Sequence, residues 1–255
     1  MANYGYVLFY SLVGGVFSLI GGILLLSHKK VASALGKYAT PFAGGGLLAA
    51  VFLDLLKDGL EQSSADTVLL ATLIGIITFF IAEGFLSWFH HHHSDEDEKS
   101  DSTVPLIIVG DTIHNAMDGV AIAAAFLISV PTGIVTTLAV AAHEIPQEIG
   151  DFGLLLSRGM SRRKVLLVNV VSALATTIAA LVTFALGSAN KIPVGVLLGL
   201  SAGFLLYIAT SDIIPTIHQH RDKYGHNPFD LQALLLILGA VTVGVSIQLA
   251  HHFIP

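Results

Sequence analysis

The chain has 255 residues, of which 54% are hydrophobic and only 12% charged, with a formal net charge of −6. A soluble domain carries roughly twice that charged fraction, so the composition excludes an ordinary soluble enzyme and describes a polytopic membrane protein that is almost all membrane domain. Much of the negative charge lies in one acidic loop, so it implies no nucleic-acid partner, and the absence of cysteine excludes disulfides and thiolate metal sites.

A membrane-spanning helix needs roughly 20 apolar residues. Eight stretches qualify, near residues 4–27, 38–57, 67–89, 104–130, 132–157, 164–187, 192–214 and 229–250. Their continuous hydrophobicity, without alternation, predicts an all-α fold of transmembrane helices and argues against strands. The first run, MANYGYVLFYSLVGGVF, has no basic leader and no cleavage site, and is read as an uncleaved span. Glycine patches in the first span (Gly14, Gly15, Gly21, Gly22) and the second (Gly44, Gly45, Gly46) permit close helix packing or, alternatively, a sliding surface. Glu83 is placed to snorkel from the end of the third span.

Between the third and fourth runs lie His90, His91, His92 and His93, followed by Asp95, Glu96, Asp97 and Glu98. This low-complexity segment, residues 90–103, is expected to be a disordered loop within an otherwise single transmembrane domain, 1–255. It reads either as a solvated connector or as a weak metal sponge or sensor.

Lysine and arginine predict the orientation. Loops after odd-numbered spans carry Lys29, Lys30, Lys37, Lys99, Arg158, Arg162, Arg163, Lys164, Arg221 and Lys223, against Lys57 and Lys191 on the other side. Ten against two places both termini outside the cytoplasm and the His-rich loop inside it, in a plasma or inner membrane.

The chemistry concentrates in DTIHNAMDGVAIAAAFLISV and the following PTGIVTTLAVAAHEIPQEIGD, residues 111–151. Ionisable residues inside a span are costly and mark a functional site. On a helix, Asp118 lies about 40° and Asp111 about 60° around the axis from His114, with Asn115 at the edge of that stripe. In the next helix His143 and Gln147 share one stripe, and Glu144, Glu148 and Asp151 the adjacent one. Two such faces point imidazoles and carboxylates at a common space, which suits a divalent transition metal. Pro146 withholds a backbone donor from the carbonyl of Ala142, so a kink is expected among the ligands. A polar helix–helix contact is the plainer alternative. A zincin-type intramembrane hydrolase is another, but HEIPQ carries Gln147 where H-E-x-x-H needs a second imidazole.

HNAMDG in one span and HEIPQEIGD in the next resemble the paired signatures of the ZIP family of zinc transporters, the second being similar to the subgroup pattern H-E-x-P-H-E-x-G-D. The resemblance covers the whole chain. It implies a carrier bringing Zn2+, and in some members Fe2+, Mn2+ or Cd2+, into the cytoplasm, with no organic cofactor and no enzymatic activity. It also implies a three-two-three arrangement of eight helices with inverted repeats, an elevator motion and a homodimer. Carried onto matching positions, a first metal takes His114, Asp118, His143 and Gln147, and a second takes Asn115 and Glu144, with Asp118 or Gln147 near both. Gln147 departs from the subgroup, which has His there. Asp54 and Asp212 match polar positions lining the family's pathway, and Asn169 and Ser172 are candidates to complete a second site. Besides the hydrolase, a membrane metal sensor that binds without transporting remains an alternative.

Overall fold

The computed structural model describes residues 2–92, 103–189, 191–218 and 231–253, with the side chains of some helical positions, among them Glu83, Pro146 and Asp212, outside the description. Every regular element among these residues is helical. Helices α1 (Tyr4–Gly14) and α2 (Ile20–Ser27) are joined by a 3-10 turn, Phe17–Leu19. Helix α3 (Lys29–Ala50) runs through a π turn, Val51–Leu55, into α4 (Leu56–Gln62). Then follow α5 (Ala65–His92), α6 (Thr103–Ile128), α7 (Val130–Ser157) and α8 (Arg162–Ser188). Helix α9 (Val194–Ile208) passes a second π turn, Ala209–Ile213, and α10 (Leu231–Phe253) ends the bundle.

Six of these segments are long and apolar enough to cross a membrane: α1–α2, α3–α4, α5, α8, α9 with its extension, and α10. Helices α6 and α7 have the length, 26 and 28 residues, but hold the polar cluster. Helix α5 carries helical backbone to His92, into the start of the expected 90–103 loop; the side chains of His90, His91 and His92, and residues 93–102, lie outside the described residues.

The surface shows which solvent the bundle is built for. On α8, Leu167, Val171, Leu174, Ile178 and Val182 form an exposed stripe, while Asn169, Ser172, Thr176 and Thr177 face inward. Apolar residues outward and polar residues inward is the polarity expected in lipid, where every backbone group must also be paired internally.

Local chemistry sets the turns around the site. Ser129 caps α7 by accepting a hydrogen bond from the Thr132 amide at 3.2 Å, with Pro131 in the first turn, so α6 and α7 form a tight antiparallel hairpin. Gly159, at φ +85°, ends α7: its amide bonds Leu156 and that of Met160 bonds Leu155, the pairing of a Schellman motif. The chain continues as helix through Pro146.

The glycine patches serve close packing. A side chain at Gly15 would meet the Ala173 carbonyl of α8 at 2.7 Å, and one at Gly21 would strike the Ile145 carbonyl of α7. Gly45 and Gly239 bring α3 and α10 into backbone contact, and Gly75 and Gly203 do the same for α5 and α9. Helix α6 packs chiefly on α8, and α7 on α1, α2 and α3. Leu47, Val51, Leu55, Leu198, Leu205 and Ile208 meet Ala121, Ala124, Ala125 and Ala139 in an apolar core between these groups.

Candidate metal site

Helices α6 and α7 bring His114, Asp118, His143 and Glu144 to one point. All four are buried, at 6%, 0%, 3% and 1% exposure. One donor atom from each lies within 4.8 Å of all the others. His114 Nε2 stands 3.3 Å from His143 Nε2 and 3.3 Å from Glu144 Oε1. His143 Nε2 stands 3.3 Å from Asp118 Oδ2. The remaining contacts of the imidazoles with these carboxylates are 3.8 Å, His114 to Asp118, and 3.7 Å, His143 to Glu144.

The spacing in sequence accounts for this. His114 and Asp118 are four apart on α6, one turn along one face. His143 and Glu144, adjacent on α7, converge from two sides. His143 Nδ1 lies 3.3 Å from the Ala139 carbonyl; donating its proton there leaves Nε2 with its lone pair toward the cluster. The ring of His114 meets Phe79 of α5 edge-on at 5.7 Å, and Phe79 stacks on Tyr207 of α9 at 5.1 Å. Phe79 is an ordinary apolar residue of a span by sequence, and nothing in its neighbours marks it as a support for a ligand.

Other residues singled out in the sequence are placed differently. Asn115 is fully buried but turned to α8: its amide donates to Asp111 Oδ1 at 2.9 Å, and its Oδ1 accepts from Thr176 at 3.0 Å. Glu144 joins the histidines, whereas the resemblance assigned it to a second ion with Asn115. Gln147 lines a cavity of 490 Å³ with His143, Gly150, Asp151, Thr40, Ala43, Ile208, Ile213 and Thr216. Thr40 and Thr216 were not legible as site residues, because α3 and α9 reach them only through packing. Glu148 and Asp111 are buried beside the cluster. Asn169 donates to the Val165 carbonyl of its own helix at 2.7 Å. Asp54 is buried on the first π turn and Asp212 lies on the second.

Fold and site together define an integral membrane protein with a buried imidazole–carboxylate cluster. The family model described as "ZIP Zinc transporter" matches residues 90–247, and the chain belongs to that family. Zinc transporter ZIP13 of Pongo abelii is 31% identical over 234 residues, covering 84% of this chain and 67% of that protein. Zinc transporter ZIP4 of Homo sapiens is 41% identical over 117 residues, 46% of this chain and 18% of that protein. Human zinc transporter ZIP10 is 39% identical over 141 residues, 52% of this chain and 17% of that protein. The chain thus spans under a fifth of the length of these last two relatives.

Proposed function

We propose that this protein carries Zn2+ across a membrane and that His114, Asp118, His143 and Glu144 hold the ion midway. The observation that carries the reading is the spacing of the four donors. Donors about 2.0–2.1 Å from a central zinc stand about 3.3–3.4 Å apart in a tetrahedron. Three of the contacts here are 3.3 Å. A dication would take the place of the protons that otherwise link these imidazoles to the buried carboxylates. Fe2+, Mn2+ and Cd2+ are secondary substrates, since a mixed nitrogen and oxygen set admits them.

Eight crossings in a three-two-three order follow if α6 and α7 span alongside the six apolar segments. The packing pairs favour an inverted repeat: α3 with α10 mirrors α9 with α5, and α6 with α8 mirrors α7 with α1 and α2. The glycine contacts described above fall within either the group α1, α2, α6, α7, α8 or the group α3, α5, α9, α10, while an alanine–leucine seam lies between them. That division suits an elevator, one group sliding on the other. Support concentrates on one ion at this position, because Asn115 is engaged by Asp111 and Thr176. Gln147 stands on the cavity wall, one turn along α7 from His143, as a weak oxygen donor on the way out. We read the termini as extracytoplasmic, the His-rich segment as cytoplasmic and able to gather metal, and the assembly as a homodimer.

The hydrolase reading loses ground because Glu144, which would act as general base, stands with the ligands. The sensor reading is separated by transport itself. Purified protein in liposomes should take up radioactive zinc, and His114→Ala and His143→Ala should each abolish uptake while leaving folded protein in the membrane. Normal uptake by both variants would remove the site assignment; zinc binding without uptake in the wild type would favour the sensor.

A further inference from the structure

At the end of the bundle away from the cavity, the start of α7 meets α4. Thr132 Oγ1 donates to Asp58 Oδ2 at 3.3 Å, and the two residues are buried, at 1% and 5% exposure. Ser129 Oγ accepts from the Thr132 amide and lies 2.9 Å from Thr132 Oγ1. With Ser129 as the donor in that second contact, the Thr132 proton is left for the carboxylate. The bond joins α7, which carries half of the metal cluster, to α4, which continues α3 and packs on α9. The same face of α7 leads from this bond to the histidines: Thr136 lies about 40° around the axis from Thr132, and His143 about 20° from Thr136. Thr136 is fully buried, and its Oγ1 has no hydrogen-bond partner among the described residues. The same holds for Ser201 Oγ on α9, two turns from Ile208 of the cavity wall. Between these hydroxyls and the cavity, Leu47, Val51, Ala139 and Leu205 belong to one apolar core.

We propose that the Thr132–Asp58 bond is a latch that holds shut the end of the bundle opposite the cavity, and that its release wets Thr136 and opens a second way to the histidine cluster. At the cavity end, Ala43 of α3, His143 of α7 and Ile208 of α9 face open space. Toward the other end the same three helices close on the apolar side chains and on this bond. Apolar packing is non-directional, whereas a hydrogen bond between buried groups fixes one register of α7 against α4 and is lost when either slides by a turn. A hydroxyl sealed without a partner is costly, and a conformation that admits water to Thr136 and Ser201 recovers that cost. At 3.3 Å the bond is longer than most bonds to a carboxylate, so it biases the closed state without locking it. The inference rests on the reading of the bundle as a carrier, whose two ends open in turn.

The chain has no cysteine, so Thr136→Cys reports on the closed end and Thr216→Cys on the cavity wall. Purified full-length protein in detergent, without zinc, presents both ends to a water-soluble thiol reagent. Thr136→Cys alone should react slowly. Adding Thr132→Val, which removes the hydroxyl at nearly constant shape, should speed that reaction by about tenfold, and so should Asp58→Ala, because a hydrogen bond to a carboxylate is worth a population shift of about that size. The two together should do no more than either. Thr132→Ser keeps the hydroxyl and should leave the rate unchanged, and Thr216→Cys should react no faster in any of these backgrounds. An unchanged rate at position 136 in the valine variant overturns the latch. A joint rise at positions 136 and 216 also overturns it, since that is a bundle loosened throughout. Should Asp58→Ala not fold, the contrast of valine with serine at position 132 decides the same question. Zinc uptake by the parent chain in liposomes is read separately: no uptake, with the labelling rates as expected, defeats the carrier reading and leaves the latch standing as a motion of the bundle.

Discussion

At 3.3 Å, the Nε2 atoms of His114 and His143 are close enough to share a proton or to face a single cation. The two carboxylates that complete the group attract positive charge from the other side, so a dication could take the place of protons and satisfy all four at once. Gln147 is the position that tunes how tightly. It shares the α7 face with His143 and lines the cavity, so Gln147→His adds an imidazole where the ion would leave. Imidazole binds zinc more strongly than an amide oxygen. The variant should tighten zinc affinity more than manganese affinity and slow maximal uptake, as a site that holds too well releases too slowly. Titration in detergent and uptake in liposomes check the two halves; unchanged affinity would mean that residue 147 does not touch the metal. Phe79 supports the cluster from outside it. Phe79→Ala frees the His114 ring and should weaken zinc binding by about tenfold, the lower end of what losing an orienting partner costs. Phe79→Leu should recover part of that loss, and equal affinities for all three side chains would sink the supporting role.

Helix against helix, the bundle depends on glycines that admit a backbone. A methyl group at Gly45 or Gly239 would strike a carbonyl of the partnering helix. Gly45→Ala and Gly239→Ala should therefore each destabilise the protein by about 1–3 kcal/mol, as overpacking does. Gly150 has open space around the same added methyl. Gly150→Ala should leave stability unchanged or raise it by up to about 1 kcal/mol, the gain expected from helix propensity. Thermal unfolding in detergent tests this contrast, and an equal loss in all three variants would contradict it. Element positions were largely readable: the run at 164–187 became α8, Arg162–Ser188. The faces of α6 and α7 were also readable, because helical periodicity alone places His114 with Asp118. What stayed hidden depends on partners far along the chain. Thr176 on α8 captures Asn115, and no local pattern says so. The two π turns carry Asp54 and Asp212, but an added residue in a helical turn leaves no signature in hydropathy.

Over the whole molecule, the proposed carriage of zinc has a direction only once the bundle is oriented in its membrane. The basic residues of the α7–α8 turn, Arg158, Arg162 and Arg163, are exposed at one end of the bundle, and Arg162 bonds the Leu26 carbonyl at the end of α2. The cavity next to His143 is lined near that same end by Thr40, Asp151 and Thr216. If the basic end lies in the cytoplasm, as the charge count predicts, the cavity beside the cluster faces inward in this conformation. The chain has no cysteine, so single cysteines report without background. Ser64 is exposed at the α4–α5 turn, Ser161 at the α7–α8 turn, and Thr216 on the cavity wall. In intact cells a membrane-impermeant thiol reagent should label Ser64→Cys and spare Ser161→Cys and Thr216→Cys, which should react only after permeabilisation. The reverse pattern would turn the protein over, make the cavity an entrance and recast the protein as an exporter. Labelling of Ser64 and Thr216 from outside, with Ser161 protected, would instead mean that the cavity opens away from the basic end.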